Sequence, residues 1–455
     1  MPASTARRVF ILRALAGLAA LPVLRSSHGL AALPSGTKVV VVGAGIAGLG
    51  AARMLADAGA EVTVLEAKPR YGGRLWTDHR FGPPFEIGAG WIHGPSPDNP
   101  TQKLADAIGA KGYTTDDDSL LLYDAEGEEV PEDDIADLAD RMEALFQRIN
   151  DDLESNDAAT LQEAIRRMDS GALDDPLMRW GLTAFTEFDT GGPIERLSAY
   201  YWDEDKKFPN PDTILIAGYD RILEPLAKGL DIRLSSPVRA IAYDANGVAV
   251  TTGAGVTKAD YCVCTVPLGY LKSGQLVFDP PLPASHARRI GKLQMGNVTK
   301  VALKYEKAFW PEDVQYFGFM DELKGKWPYV LNYRTFVPDN ILVALSFGAY
   351  AGDAERKTDA EIVAEISAMF ARAWEGVTRP SEVIVSRWSQ DAFTLGAYSF
   401  PFAGMTPGDF DGLREPVSKR LVFAGEHTVF EYKATTHGAY MSGLMAAEAI
   451  LDLAG

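Results

Sequence analysis

Gly43, Gly45 and Gly48, in the stretch GAGIAG, follow directly on the apolar residues 38–42, and Glu66 closes a second apolar run at 62–65. Glycines at this spacing can hold a dinucleotide. The first permits a tight turn, the second lets backbone N–H groups approach a pyrophosphate, and the third lets helix and strand pack closely. The positive end of the following helix then faces the phosphates. Glu66 lies about twenty residues past the turn, where an acid can accept hydrogen bonds from a ribose. Other groups able to do chemistry are sparse. Lys300 interrupts an apolar run at 298–303. An unpaired charge is costly to bury, so it is either a strand lysine turned to solvent or an amine kept inside for a purpose. His93 can accept a hydrogen bond from a substrate or serve as a structural histidine, and His437 can cap a helix as well as take part in chemistry. No zinc motif and no Ser-His-Asp order is visible, so no metal site is expected.

Periodicity suggests the elements that position these groups. A strand at 38–42, a helix at 46–58 ended by Gly59, and a strand at 62–65 form the glycine-turn unit. The acidic stretch 116–134 is expected to be a solvated loop and helix entry, and residues 135–168 read as helical, with apolar residues at spacings of three and four. Short strands are expected at 232–234, 238–243, 248–251 and 261–266, with Asn246-Gly247 as a hairpin turn. Further strands are expected at 298–303 and 341–347, a helix at 360–374, a buried strand at 421–424 leading to Gly425 and Glu426, and a closing helix at 438–453. Cys262 and Cys264, the only two cysteines, point to one face of a strand, a geometry unsuited to a disulfide between them. Gly253-Ala254-Gly255 lies in a polar turn and lacks the third glycine, so one dinucleotide site is expected. A flavin there would take electrons from a substrate and pass them to oxygen.

With 455 residues and a formal net charge of −18, the chain suggests two or three domains and a surface that disfavours nucleic acid and anionic membranes and attracts cations, or simply aids solubility. Residues 5–12, with Arg7 and Arg8, resemble a twin-arginine export signal. The apolar stretch at 14–24 is too short to span a bilayer, and small residues at 29–32 offer a cleavage site. A Sec-type signal is the alternative. The twin-arginine machinery carries folded, cofactor-loaded proteins, so a periplasmic or secreted protein without a stable membrane anchor is expected.

The residues from 66 onward resemble a family. Glu66-Ala67-Lys68-Pro69-Arg70-Tyr71-Gly72-Gly73-Arg74 is similar to a segment of the flavin amine oxidases. So are Glu86-Ile87-Gly88-Ala89-Gly90-Trp91-Ile92-His93-Gly94 and Thr265-Val266-Pro267-Leu268-Gly269. Gly396-Ala397-Tyr398-Ser399, after Trp388, resembles the next block. Phe423-Ala424-Gly425-Glu426-His427-Thr428 and Ala434-Thr435-Thr436-His437-Gly438-Ala439 resemble the C-terminal signature. The blocks occur in family order from about Lys38 to the end, and their forms look most like the polyamine (spermine and acetylpolyamine) oxidases.

The resemblance implies an α/β (α+β) fold: a Rossmann-like FAD-binding domain with a discontinuous substrate domain of mixed sheet and helices. It divides the chain into a signal segment at 1–36, FAD-binding segments at 37–95, 210–290 and 400–455, and substrate-binding segments at 96–209 and 291–399. Arg70 and Arg74 would lie along the pyrophosphate and flavin, Val238 would meet the adenine, and Glu426 the ribityl or phosphate region. Gly73, Gly90, Trp91, Gly425 and Thr436 would also touch the cofactor, and the helix opening at Gly438 would face the flavin. Ala397 stands where monoamine oxidases carry a flavin-bonded cysteine, so the FAD should be non-covalent. Tyr398 fills one place of the aromatic pair flanking the flavin, and Thr435 stands at the other, with Tyr432 or Trp388 available to contribute. Lys300 matches the family lysine that holds a water at flavin N5.

The expected reaction is oxidation of a small cationic amine, foremost a polyamine, by hydride transfer to FAD, with the imine hydrolysed and O2 reduced to hydrogen peroxide. A monoamine, cyclic amine or L-amino acid oxidase of the same fold is the alternative, and a non-catalytic flavoprotein a more distant one. Asp203-Glu204-Asp205 resembles an acidic segment near the active-site mouth of the related histone demethylases and could draw in a polycation, or be a solvated loop.

Overall fold

A computed structural model of the chain describes residues 33–154 and 157–455. Residues 1–32, which hold most of the segment expected at 1–36 as an export signal, lie outside the described residues. Strand Lys38–Val42 is valine-rich and buried on both faces, the pattern of an inner parallel strand. It lies at the centre of a five-stranded sheet in the order Leu421–Phe423, Tyr261–Cys264, Lys38–Val42, Glu61–Leu65, Asp231–Arg233, all neighbours parallel. Val39 and Val41 face a core shared with helices Ile46–Asp57 and Thr436–Ala454, while Val40 and Val42 face the opposite core. The two helices approach closely enough that a Cβ on Gly443 would come 2.1 Å from the Ala47 carbonyl oxygen. A four-stranded sheet, Gly255–Ala259, Val248–Thr252, Val238–Tyr243 and Val277–Asp279, contributes Ile241 and Val250 to the core that also holds Cys262 and Cys264. Both cysteines are free and buried.

A six-stranded mixed sheet runs Glu382–Val385, Val298–Lys304, Ile341–Phe347, Tyr329–Asn332, Tyr316–Phe319, Leu120–Tyr123. Along Val298–Lys304 the alternation of a strand divides the side chains. Val301 and Leu303 enter an aromatic core with Trp374 and Phe370, whereas Val298 and Ala302 enter the core that also contains Val40, Trp388 and Ala397. Lys300 shares that second face, which sets it toward Glu86, Gly88 and Trp91.

Some expectations are corrected. Residues 135–168 are two helices, Glu132–Asp152 and Leu161–Met168, because Thr160 and Glu163 form a capping box that starts the second. The acidic stretch 116–134 is not wholly a solvated loop: Leu120–Tyr123 is a strand pairing parallel with Tyr316–Phe319. The closing helix begins at Thr436 rather than Gly438, with Thr435 as its cap. A π-helical stretch, Thr183–Glu187, was not foreseen; it leads directly into Phe188 and Asp189.

Candidate active site

The glycine turn is shaped by what a side chain would strike. Gly43 has φ +102°, and a Cβ there would lie 2.6 Å from Thr265 Oγ1; a Cβ on Gly48 would lie 2.0 Å from the Gly43 carbonyl oxygen. Gly45 has nothing within 4 Å of its Cβ position, so the turn is tight within and open without. The helix that follows has no side chain capping its first N–H groups, which leaves them to an anion. Glu66 is buried and braces the turn, accepting the Ala44 N–H at 2.7 Å and the Lys68 N–H at 2.8 Å. Ser236 N–H reaches the Glu66 carbonyl at 2.7 Å, which places Val238 and its strand beside that acid. Gly73, at φ +59°, lies against Gly45, its Cβ position 3.3 Å from the Gly45 Cα. Arg70 stacks over Trp76 at 4.3 Å and donates to the Gly73 carbonyl at 2.8 Å.

Arg74 carries the line onward. Its Nη1 donates to the Ala397 carbonyl at 2.7 Å and to Glu426 Oε1 at 2.9 Å. Glu426 is buried and also accepts from Ser399 Oγ at 2.5 Å and the Ala434 N–H at 3.2 Å. Burial pushes its carboxyl up, but Arg74, His427 and Ser399 outweigh this and hold it below its ordinary range. Gly425, at φ +135°, has its N–H bonded to Ser442 Oγ of the C-terminal helix at 2.8 Å. Thr435 Oγ1 accepts the Gly438 N–H at 2.9 Å and donates to the Tyr432 carbonyl at 2.7 Å, so its hydroxyl serves as the helix cap. Gly438 is required there, since a Cβ would lie 1.9 Å from that carbonyl. The Thr436 side chain lies close to the Tyr219 hydroxyl.

Lys300 is buried, not turned to solvent. Its Nζ donates to the Gly88 carbonyl at 2.6 Å and the Glu86 carbonyl at 3.2 Å, and lies 4.8 Å from the centre of the Trp91 ring. Gly90 packs against Glu86 and Lys300: a Cβ there would be 3.2 Å from the Glu86 Cβ and 3.4 Å from Nζ. The Glu86 carboxylate, held by Thr77 Oγ1 and the Tyr219 N–H, lies beneath. Burial pulls the lysine down against the attraction of Glu86 and pushes Glu86 up. A small cavity of about 10 Å³, at the lower limit for one water, is lined by both groups with Gly90, Trp91 and Tyr333. Trp388 is buried, its Nε1 donating to the Ile87 carbonyl at 3.1 Å. Tyr398 is half-buried; its hydroxyl donates to the Phe188 carbonyl at 2.9 Å, and Phe188 meets Trp91 edge-on at 6.1 Å. Tyr432 stacks on Phe208 at 5.5 Å and meets His437 edge-on.

Beyond Trp91 and Phe188 the walls are acidic. His93 Nδ1 lies 2.6 Å from Asp212 Oδ2, and its side chain keeps 55% of its surface open. Nearby Asp189 and Asp117 are also exposed, and the bulk of protein around them pushes their carboxyls up, to about 7 and about 6. Asp203 pairs with Lys207 at 2.9 Å. Together with Asp205 it acts on Asp189 and raises Lys207, so this segment belongs to the site's edge. Asp212 had no periodicity or motif to mark it as a site residue, Glu86 stood only as the first residue of a family block with no role of its own, and Asp189 follows a π-helical turn that sequence does not reveal.

A family model described as flavin containing amine oxidoreductase matches residues 46–451. The chain belongs to that family. Polyamine oxidase 4 of Oryza sativa subsp. japonica is 33% identical over 433 residues, covering 90% of this chain and 88% of the relative. Polyamine oxidase 2 of Arabidopsis thaliana is 34% identical over 434 residues, covering 90% and 87%. A lysine-specific histone demethylase 1 homolog 2 of Arabidopsis thaliana is 33% identical, but only 58% of its length is matched. Among solved structures, a putrescine oxidase with putrescine bound shares the fold, with a TM-score of 0.75 at 24% identity over 92% of this chain and all of that one. The enzyme is therefore a flavin-dependent amine oxidase that takes FAD. The open glycine turn, the uncapped helix start and the Arg74–Glu426 pair fit that cofactor. With both cysteines buried in the parallel sheet and Ala397 before Tyr398, no thiol stands where it could be tethered.

Proposed function

We propose that this enzyme oxidises a polyamine of the spermine or spermidine class. The observation that carries the proposal is the cluster of Asp117, Asp189 and Asp212 around His93, two residues along the chain from Trp91, which lies against Lys300. A cation finds charge partners along that wall, while Trp91, Phe188 and Tyr398 enclose an apolar end that favours the neutral form of one amine nitrogen. The names of the rice and Arabidopsis relatives support the same substrate class. When bound, FAD supplies a two-electron acceptor for the hydride equivalent leaving the carbon next to nitrogen, and O2 takes the electrons on as hydrogen peroxide. The glycine turn, Glu66, Arg70, Val238, Arg74, Glu426 and the start of helix Thr436–Ala454 would hold it. Lys300, anchored by two carbonyls, would hold a water at the reacting face, and His93 would accept a substrate N–H. Water then adds to the imine, which splits into an aldehyde and an amine.

The test is peroxide release by purified yellow protein offered spermine, spermidine, putrescine, N-acetylated polyamines, monoamines and L-amino acids. Turnover of spermine or spermidine is expected. Turnover confined to monoamines or amino acids would overturn the substrate class and leave the chemistry standing.

A further inference from the structure

His93 and Asp212 are 119 residues apart in sequence and are brought together by a single backbone pairing. Ile92 and Thr213 form an antiparallel bridge, with N–H to O distances of 2.8 Å and 3.1 Å in the two directions. Antiparallel pairing of residues 92 and 213 sets 93 opposite 212. Asp212 Oδ2 meets His93 Nδ1 at 2.6 Å, and Oδ1 accepts the Gly94 N–H at 3.1 Å. Thr115 holds the Asp212 carbonyl by its N–H at 2.9 Å and its hydroxyl at 3.1 Å. The carboxylate is therefore fixed on both sides. An ionised carboxylate only accepts, so Nδ1 carries the proton, and the neutral ring is left with Nε2 as an acceptor. Nε2 has no protein partner among the described residues, and the His93 side chain keeps 55% of its surface open.

We propose that Asp212 is a positioning residue for His93: it fixes the tautomer that presents Nε2 to a substrate amine and supplies the counter-charge when the ring takes up the amine's proton. This rests on the amine-oxidation reading. An aliphatic ammonium has no lone pair and must lose a proton before its carbon can release hydride. In the step proposed, the substrate N–H bond breaks, Nε2–H forms, and the positive charge passes from substrate to imidazolium. The groups facing the ring are Asp212, Asp189, Asp205, Asp117 and His437. Burial pulls His93 down, but Asp212 by charge and hydrogen bond, then Asp189 and Asp205, outweigh it and the net shift is upward. Burial keeps His437 neutral, down to about 3, so it does not compete for the proton.

A purely structural clasp at Ile92–Gly94 would give the same hydrogen bonds without steering the ring, and nitrogen NMR on histidine-labelled, FAD-loaded protein separates the two. His93 is identified among the six histidines by the signal lost in His93→Gln. The unmodified protein should show neutral His93 protonated on Nδ1 and titrating above the ordinary histidine value; protonation on Nε2 would overturn the proposal. In Asp212→Asn the titration should move down, and kcat/KM for the best amine should fall by about 10- to 100-fold with the flavin spectrum retained. Asp212→Glu should restore part of it. In a His93→Gln background Asp212→Asn should cost nothing further, and additive losses would overturn the proposal. If no amine bleaches the flavin of the unmodified protein, the functional reading fails while the NMR result still decides the role of Asp212.

Discussion

Lys300 gives up its hydration to lie against Trp91, and two carbonyl hydrogen bonds and the nearby Glu86 carboxylate offset that cost. Replacing it with methionine removes the charge and keeps the volume, and Glu86, already pushed up by burial, can take a proton in response. Lys300→Met should therefore fold and retain FAD while amine-driven flavin bleaching slows by about 100-fold or more; stopped-flow absorbance measures this, and bleaching at the unmodified rate would remove Lys300 from the chemistry. Asp189 has a different signature. Asp189 is exposed, but the protein massed around it, with Asp203 and Asp205 nearby, lifts it from 3.8 to about 7, so between those values the folded chain holds a proton that the unfolded chain has released. Stability attributable to this group is then greatest below pH 4 and declines as pH rises toward 7. Asp189→Asn should flatten that decline in urea titrations at pH 5 and pH 7, and should raise KM for spermine more than for a monoamine.

Most elements around the cofactor were legible because each combines a pattern with a punctuation mark: valines 39–42 before Gly43, the helix before Gly59, the hairpin at Asn246-Gly247. The substrate side was harder. Leu120–Tyr123 is a short edge strand, three leucines and a tyrosine, but the acids on both sides mask that four-residue apolar run, and it is its pairing with Tyr316–Phe319 that completes the strand. Residues 135–168 keep a helical period across a break, and the decisive signal, Thr160 with Glu163, is a start mark inside that pattern. The face occupied by Lys300 depends on register within a six-stranded sheet, and the meeting of His93 with Asp212 on one long-range bridge; neither is encoded locally. The crossing of helices Ile46–Asp57 and Thr436–Ala454 is set by Gly443 against Ala47. Gly443→Ala should force them apart, at about 1–3 kcal/mol, and should lower both Tm and the FAD content of purified protein. A normal FAD content would show that the glycine turn tolerates the displacement.

Across the whole molecule the net charge of −18 and the acidic cluster of Asp117, Asp189 and Asp212 act in the same direction on a cation. Association with polyamines should weaken as salt is raised, because screening shortens the reach of these charges to about 8 Å at physiological ionic strength. kcat/KM for spermine should fall more steeply with salt than that for a monoamine. Export is a separate expectation, resting on residues 5–12: replacing Arg7 and Arg8 by lysine should leave active, yellow protein in the cytoplasm. The crossing of the two helices also bears on the order of events during synthesis. Residues 46–57 emerge from the ribosome early, but the helix they bury against is made only after everything between them. The nascent chain therefore carries an incomplete cradle for most of its translation, and FAD capture becomes a late event that reports a finished chain.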